Sequence, residues 1–472
     1  MGSCKKRPTL NPKARLSLGS TLLWIALALF LSGCQQISTV NPSQTPVPTP
    51  FTQTPAQVTL ALDTSTPQPT PSPSTTPSPS PSPTPGPSLI LSETHSKISY
   101  VSPLTVQHVT HESVVCIFEL EDALDGYLFY WPALAGIGEI KWEAFKADRT
   151  QHVIEIRELI PGKEYEFAVG LLDQDGSYLT PSFLESIWDP IHIRTLKVEP
   201  WPLLVGVFGD SGFGQEITFE LAQRMATFDL DLVLHTGDIV YRVYDNLNVQ
   251  EAYALKYFET LAPILKRFPI YPVPGNHEYD AAAMFEDQPY SFHVFPNLVN
   301  VEGFVSGDSE KRNWYAVEIG QLQILMLDTQ LFWRGTGRSD QTAWLQERLL
   351  DDRFPISIPV GHVPPYTSGI YPNDGILVQR DWVPLFEAAP VPLVLSGHDH
   401  NYQRLERNGI VYIVTGGGSS VLYPQGNPIP ESQYFARRTH FVLLELHQDH
   451  IRLEAITPSG EILDQKIIRI YR

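Results

Sequence analysis

An α/β layered domain preceded by a small β-sandwich is the fold class that the sequence predicts, on three observations. From residue 200 onward, apolar strand-like runs alternate with helical stretches, the pattern of layered α/β cores. Between residues 89 and 197, short stretches of period-two apolar spacing recur with turn signals between them, the pattern of a sandwich. Before residue 89 the composition is that of an address and a spacer. At 472 residues the chain exceeds a single core, which stops growing at about 250–300 residues.

Residues 1–33 read as a signal peptide. Lys5, Lys6, Arg7, Lys13 and Arg15 precede an apolar run, Thr21 to Leu31, with no acid among them. That run falls short of the roughly 20 apolar residues that span a bilayer. It ends in Leu31-Ser32-Gly33-Cys34, which resembles the lipobox of bacterial lipoproteins and implies cleavage before Cys34 and lipidation there. Residues 34–88 follow as a tether. Fifteen of the 42 prolines fall within 41–88, among Ser and Thr, so this stretch cannot bury a core and favours extended polyproline II at about 3 Å per residue. The expected location is therefore extracytoplasmic, on a bacterial membrane.

Within 89–197 the strand candidates are 113–120, 126–130, 140–145, 153–159, 165–171 and 191–194, with turns at Pro161-Gly162 and Asp173–Gly176. Cys116, inside an apolar strand, reads as a small buried hydrophobe. The stretch ELIPGKEYEFAVGLLDQDG resembles the strand-turn-strand corner of a fibronectin type III-like domain. Within 198–472 the strand candidates are 203–208, 230–235, 270–273, 321–327, 356–360, 393–396 and 411–415, with helices near 216–228, 250–268, 341–350 and 382–388. The closing strands 441–446, 451–456 and 461–470 add an antiparallel margin.

Charge and cysteine content exclude some classes. With 33 Lys+Arg against 52 Asp+Glu the formal charge is −19, which argues against nucleic acid as a partner, since a basic face supplies most of that affinity. Cys4, Cys34 and Cys116 cannot form a disulfide framework in so long a chain.

Five short segments follow successive strands: Gly209-Asp210-Ser211-Gly212, Gly237-Asp238-Ile239-Val240-Tyr241, Gly275-Asn276-His277-Glu278, Gly361-His362, and Gly397 to Tyr402 (GHDHNY). Each sets a hard oxygen or imidazole donor beside a glycine that lets the chain turn sharply, and ligands gather at the carboxyl ends of strands in such folds. Two cations with one bridging carboxylate need about this many donors. His235 reads as a neighbour of the centre and not a donor to it.

The order D-x-G, G-D-x-x-Y, G-N-H-E, G-H, G-H-x-H resembles the calcineurin-like metallophosphoesterases. Tyr241, the preceding fibronectin-like domain and GHDHNYQR resemble the purple acid phosphatases among them, over roughly residues 95–472. The resemblance implies a four-layer α/β/β/α sandwich. It implies that Asp210, Asp238, Tyr241 and His400 hold one ion and Asp238, Asn276, His362 and His398 the other, with Asp238 as the bridge. The pair it implies is Fe3+ with a divalent Fe, Zn or Mn. His277 would contact the phosphoryl oxygens or protonate the leaving alkoxide, as general acid in the attack of hydroxide on phosphorus. The activity implied is hydrolysis of small phosphomonoesters. A phosphodiesterase or nucleotide hydrolase on the same centre, and a non-catalytic surface binding module, are the alternatives. The segment after His362, VPPYTSGIYPNDG, departs from the family by carrying no further histidine. Tyr366, Tyr371 and Asn373 are its candidates for substrate contact.

Overall fold

The computed structural model describes residues 98–135, 139–172, 178–179, 190–242, 246–279, 290–295, 304–306, 314–334 and 338–470. The expected signal peptide, Cys34 and the whole of the expected tether lie outside them. Among the described residues no helix is long and apolar enough to cross a membrane.

Among the described residues, eight antiparallel strands form the N-terminal β-sandwich: β1 (Tyr100–Val109), β2 (Val114–Leu120), β3 (Gly126–Pro132), β4 (Lys141–Phe145), β5 (Gln151–Ile156), β6 (Glu164–Leu172), β7 (Tyr178–Leu179) and β8 (Ile191–Arg194). One sheet runs β1-β2-β5; the other runs β4-β3-β6-β7, with β8 also on β6. Cys116, Phe118 and Leu120 from the first sheet and Leu128, Phe167 and Val169 from the second are buried in one core, as alternation requires. Cys116 is fully buried, and burial pushes its thiol pKa well up, so it is inert packing. The sequence reading missed β1, whose pairing with β2 slips on either side of Pro103, where the ladder lacks a donor. The sandwich abuts the next domain through polar contacts. Arg194 forks onto Asp229 and Asp231 at 2.6 and 3.2 Å, and the Val109 N–H donates to the Tyr271 hydroxyl at 3.0 Å.

The second domain follows the predicted α/β alternation: β9 (Leu203–Phe208), β10 (Leu232–His235), β11 (Ile270–Pro272), β12 (Phe304–Ser306), β13 (Tyr315–Ile319), β14 (Leu322–Leu327), β15 (Ile356–Gly361), β16 (Leu393–Ser396), β17 (Tyr402–Arg407), β18 (Ile410–Thr415), β19 (Ser432–Ala436), β20 (Phe441–Leu446), β21 (His450–Ile456) and β22 (Ile462–Arg469). They form two sheets, β11-β10-β9-β20-β21-β22 and β12-β13-β14-β15-β16-β18-β17-β19. Strands β9 to β11 are parallel to one another, as are β14, β15, β16 and β18, while the margins are antiparallel. Val205, Val207, Leu232 and Leu444 from one sheet share a buried core with Ile324, Met326, Ile358 and Leu395 from the other. On the first sheet's outer side, Leu221, Met225 and Ile264 from helices cover Phe208, Val233 and Phe441. On the second's, Leu345, Val378, Trp382 and Phe386 cover Leu325, Val394 and Val414. Four layers result, helix, sheet, sheet, helix.

One predicted helix is corrected. The stretch 250–268 is not continuous: Val249–Tyr253 passes into a π-helical turn, Ala254–Glu259, and a new helix, Ala262–Leu265, starts around Pro263. Proline inside a helix removes a donor and clashes with the preceding turn, but at a first turn it costs nothing.

Candidate metal centre

All five ligand-bearing segments sit where β9, β10, β11, β15 and β16 end, on one edge of the paired sheets. The chain turns there at once, and Asp210, Asp238 and His398 take left-handed backbone angles, with φ of 56°, 55° and 69°. Left-handed backbone costs a non-glycine residue about 1–2 kcal/mol, so three in one place mark strain held for a purpose. Part of it is offset by fixed hydrogen bonds. Asp210 Oδ2 accepts the His398 N–H at 3.0 Å, and Asp238 Oδ1 accepts the His277 N–H at 2.9 Å. Gly397 is needed because a Cβ there would stand 2.5 Å from Asp210 Oδ2.

Two clusters form, and Asp238 belongs to both. In the first, ligand atoms of Asp210, Asp238 and His400 lie within 4.8 Å of one another, and the Tyr241 hydroxyl is 2.9 Å from His400 Nε2 and 3.3 Å from Asp210 Oδ1. In the second, Asn276 Oδ1 is 3.1 Å from both His362 Nε2 and His398 Nδ1, which are 3.3 Å apart, and Asp238 Oδ2 is 3.5 Å from His362 Nε2. The structure therefore brings together Asp210, Asp238, Tyr241, Asn276, His362, His398 and His400.

The partners behind the rings fix which nitrogens are bare. His362 Nδ1 lies 2.8 Å from the Thr236 carbonyl and His400 Nδ1 2.7 Å from the Val421 carbonyl. A carbonyl only accepts, so both Nδ1 atoms carry hydrogen and both Nε2 atoms present lone pairs to the centre. His398 is reversed: its Nε2 is 2.9 Å from Asp374 Oδ2, and its Nδ1 faces inward. Asp238 Oδ2, Asn276 Oδ1, His362 Nε2 and His398 Nδ1 thus converge as four acceptors, and Asp210 and Asp238 are buried carboxylates. Buried charge and converging lone pairs are costly unless a cation sits among them, and oxygen and imidazole suit Fe, Zn or Mn. The donor set fits a dinuclear centre.

Electrostatics agree with that fit. Burial pushes His362 down to about 3, which keeps it neutral and available. Burial also opposes charge on His398 and His400, but the carboxylates of Asp374, Asp210 and Asp238 around them favour it and raise both pKa values, the negative field that a cation would answer. Burial, then Asp238 and Asp210, raise the Tyr241 pKa well above 10. Only a strong local positive charge would make that phenol a phenolate.

Around the donors, His277 lies with its ring 4.4 Å from that of Tyr241, which also stacks on Phe213 at 4.0 Å. Tyr423 stacks on His400 at 4.1 Å, and Tyr371 lies 5.0 Å from His398. Of the three substrate candidates, Tyr371 alone reaches the centre. Tyr366 is buried against Tyr412 beneath Arg407, and Asn373 is exposed, its carbonyl accepting the Ile376 N–H. His235 stands behind, its Nε2 2.8 Å from Ser211 Oγ and its Nδ1 accepting the Gly237 N–H, as a neighbour should. The side chain of His293 lies outside the described residues.

Two further residues escaped the sequence reading. Glu278 sits in the quoted GNHE motif, and its buried carboxylate accepts N–H groups from Gly275, Asp238, Ile239 and Val240 at 2.7, 2.9, 2.7 and 3.3 Å. It clamps the bridging-carboxylate loop to the Asn276 loop. Burial and Asp238 raise its pKa, and the amide donors oppose them. Asp374 lies in the loop after His362, where no motif marked it.

Comparison with known proteins agrees with this geometry. Residues 203–402 match the family model for calcineurin-like phosphoesterases. Purple acid phosphatase 18 of Arabidopsis thaliana is 26% identical over 271 residues, covering 55% of this chain and 59% of that one. Tartrate-resistant acid phosphatase type 5 of Mus musculus is 24% identical over 282 residues, covering 50% of this chain and 78% of that one. A purple acid phosphatase structure from yellow lupin (Lupinus luteus) seeds superposes with a TM-score of 0.59 at 18% identity, covering 78% of this chain and 74% of that one. The structure of PhoD gives 0.58 at 13%, covering 80% and 90%. Those two likenesses establish the fold.

Proposed function

We propose that this chain, which carries a calcineurin-like metallophosphoesterase domain, hydrolyses small phosphomonoesters at a dinuclear centre outside the cytoplasm. The observation that carries the reading is the pair of lone-pair clusters joined at Asp238. Asp210, Asp238, Tyr241 and His400 would hold a ferric ion, the phenolate being a hard anionic donor, and Asp238, Asn276, His362 and His398 a divalent Fe, Zn or Mn. When bound, such a pair supplies Lewis acidity and an acidified water for attack at phosphorus.

The chain's own residues do the rest. The Thr236, Val421 and Asp374 oxygens hold three imidazoles in the orientation that keeps lone pairs inward. Glu278 keeps the Asp238 and Asn276 loops in register. His277, whose N–H is tied to Asp238, is placed to hold a phosphoryl oxygen or give a proton to the departing alkoxide. Tyr371 and Tyr423 lie against His398 and His400. The mature chain, with charge −24 after loss of five cationic residues, would hang from a bacterial membrane by lipidated Cys34 and its proline-rich tether.

Chelator-stripped protein should be inert toward an aryl phosphate and regain turnover with added metal, faster than on the matching aryl diester. A diester preference would favour the second reading. One observation leans that way: the loop after His362 brings a tyrosine and an acid to the centre and no second imidazole, leaving less positive charge for a dianion. Inertness toward both esters would favour a surface binding module. For the anchor, Cys34→Ala should block processing or release the protein from membranes; an unchanged membrane fraction would refute it.

A further inference from the structure

We propose that Asp374 is a positioning residue of the second cluster, fixing His398 with Nδ1 inward and raising that cluster's affinity for a divalent cation. This rests on the dinuclear reading above. Two of the three imidazoles are oriented by backbone carbonyls, which every sequence has. His398 is oriented by a side chain, and that side chain adds a negative charge. Ligand histidines held by a carboxylate keep the correct tautomer and gain basicity.

The loop delivers Asp374 to this place. Asp399 accepts the Thr367 hydroxyl at 2.5 Å and the Ile370 N–H at 3.1 Å, and Gln403 accepts the Ser368 N–H at 2.7 Å, so the first half of the loop is pinned to the turn that carries His398 and His400 and to the strand after it. A turn closed by the Asp374 N–H on the Tyr371 carbonyl at 3.3 Å then carries the chain back over His398. Tyr371 covers one side of the imidazole and Asp374 caps its outer nitrogen. The Asp374 side chain is 35% exposed, so its removal opens no buried cavity and leaves no packed core disturbed. Its effect must run through His398.

The test is a zinc titration of chelator-stripped protein against a chromophoric competitor, for the wild type, Asp374→Ala and Asp374→Asn. Asp374→Ala should keep the melting temperature of the stripped form and weaken one of two zinc equivalents about 10–100-fold, the range for lost carboxylate support of a ligand histidine. Asp374→Asn, which keeps an oxygen for the imidazole N–H and drops the charge, should fall between. Wild-type affinity in Asp374→Ala, or equal weakening of both equivalents, overturns the proposal. A wild type that takes up no zinc overturns the dinuclear reading itself.

Discussion

Replacing Glu278 by alanine is expected to cost more stability than any other single change near the centre. Its two oxygens accept four backbone N–H groups, three of them at 2.9 Å or less, and the residue is 6% exposed. An unpaired buried donor costs about 1–3 kcal/mol. The three short bonds then give about 3–6 kcal/mol after some relief from entering water, against a whole-domain stability of about 5–15 kcal/mol. At roughly 2–4 °C per kcal/mol for a domain of this size, the thermal unfolding midpoint followed by circular dichroism should fall by about 6–24 °C. Glu278→Gln keeps one accepting oxygen and turns an NH2 toward the other donors, so it should lose less than alanine but clearly more than a surface change. Melting of Glu278→Ala within about 2 °C of wild type would refute the clamp, since surface substitutions stay within about 0.5 kcal/mol.

Three other outcomes follow from the same geometry. His277→Ala should retain its metals and lose about 10²–10⁴-fold in rate on alkyl esters, whose leaving group needs a proton, and much less on nitrophenyl esters; equal losses would leave His277 a phosphate-holding role only. If Tyr241 binds ferric iron the protein should be coloured by charge transfer, and Tyr241→Phe should bleach that band with the fold intact; a colourless, fully active manganese form would contradict ferric binding. His440 is buried with Nδ1 donating to the Arg438 carbonyl and Nε2 accepting from Thr415, and burial pushes it down to about 4. The unfolded chain takes up that proton more readily, so stability is full above the ordinary histidine pKa and falls between about pH 6.5 and 4, by about 3 kcal/mol. His440→Gln should flatten that part of the stability–pH curve; an unchanged slope would refute the assignment.

The candidate centre was legible because its chemistry is local. Each segment sets a donor beside a glycine at a strand end, so motif and strand pattern together put Asp210, Asp238, Asn276, His362, His398 and, two residues after it, His400 on one edge. Tyr241 was legible from its spacing to Asp238. Asp374 was not, because its contact depends on Asp399 and Gln403 pinning a loop, an arrangement without a spacing signature. Glu278 was visible in its motif, but a carboxylate whose partners are all backbone amides leaves no second residue to find. In the fold, β17 was hidden inside the GHDHNYQR motif, where Tyr402, Gln403 and Arg404 open a strand. The margin strand β13, YAVEI, is buried at four of five positions and has no clean alternation to mark it.

Metal content of the wild type and of Asp238→Ala, measured by mass spectrometry on protein purified without chelator, tests the shared carboxylate most directly. Asp238 lies in both clusters, whereas Asn276 serves one. The expected result is about two ions per wild-type chain, loss of both in Asp238→Ala, and retention of one in Asn276→Ala, all with native circular dichroism. Equal metal content in Asp238→Ala and the wild type would contradict a bridged dinuclear centre.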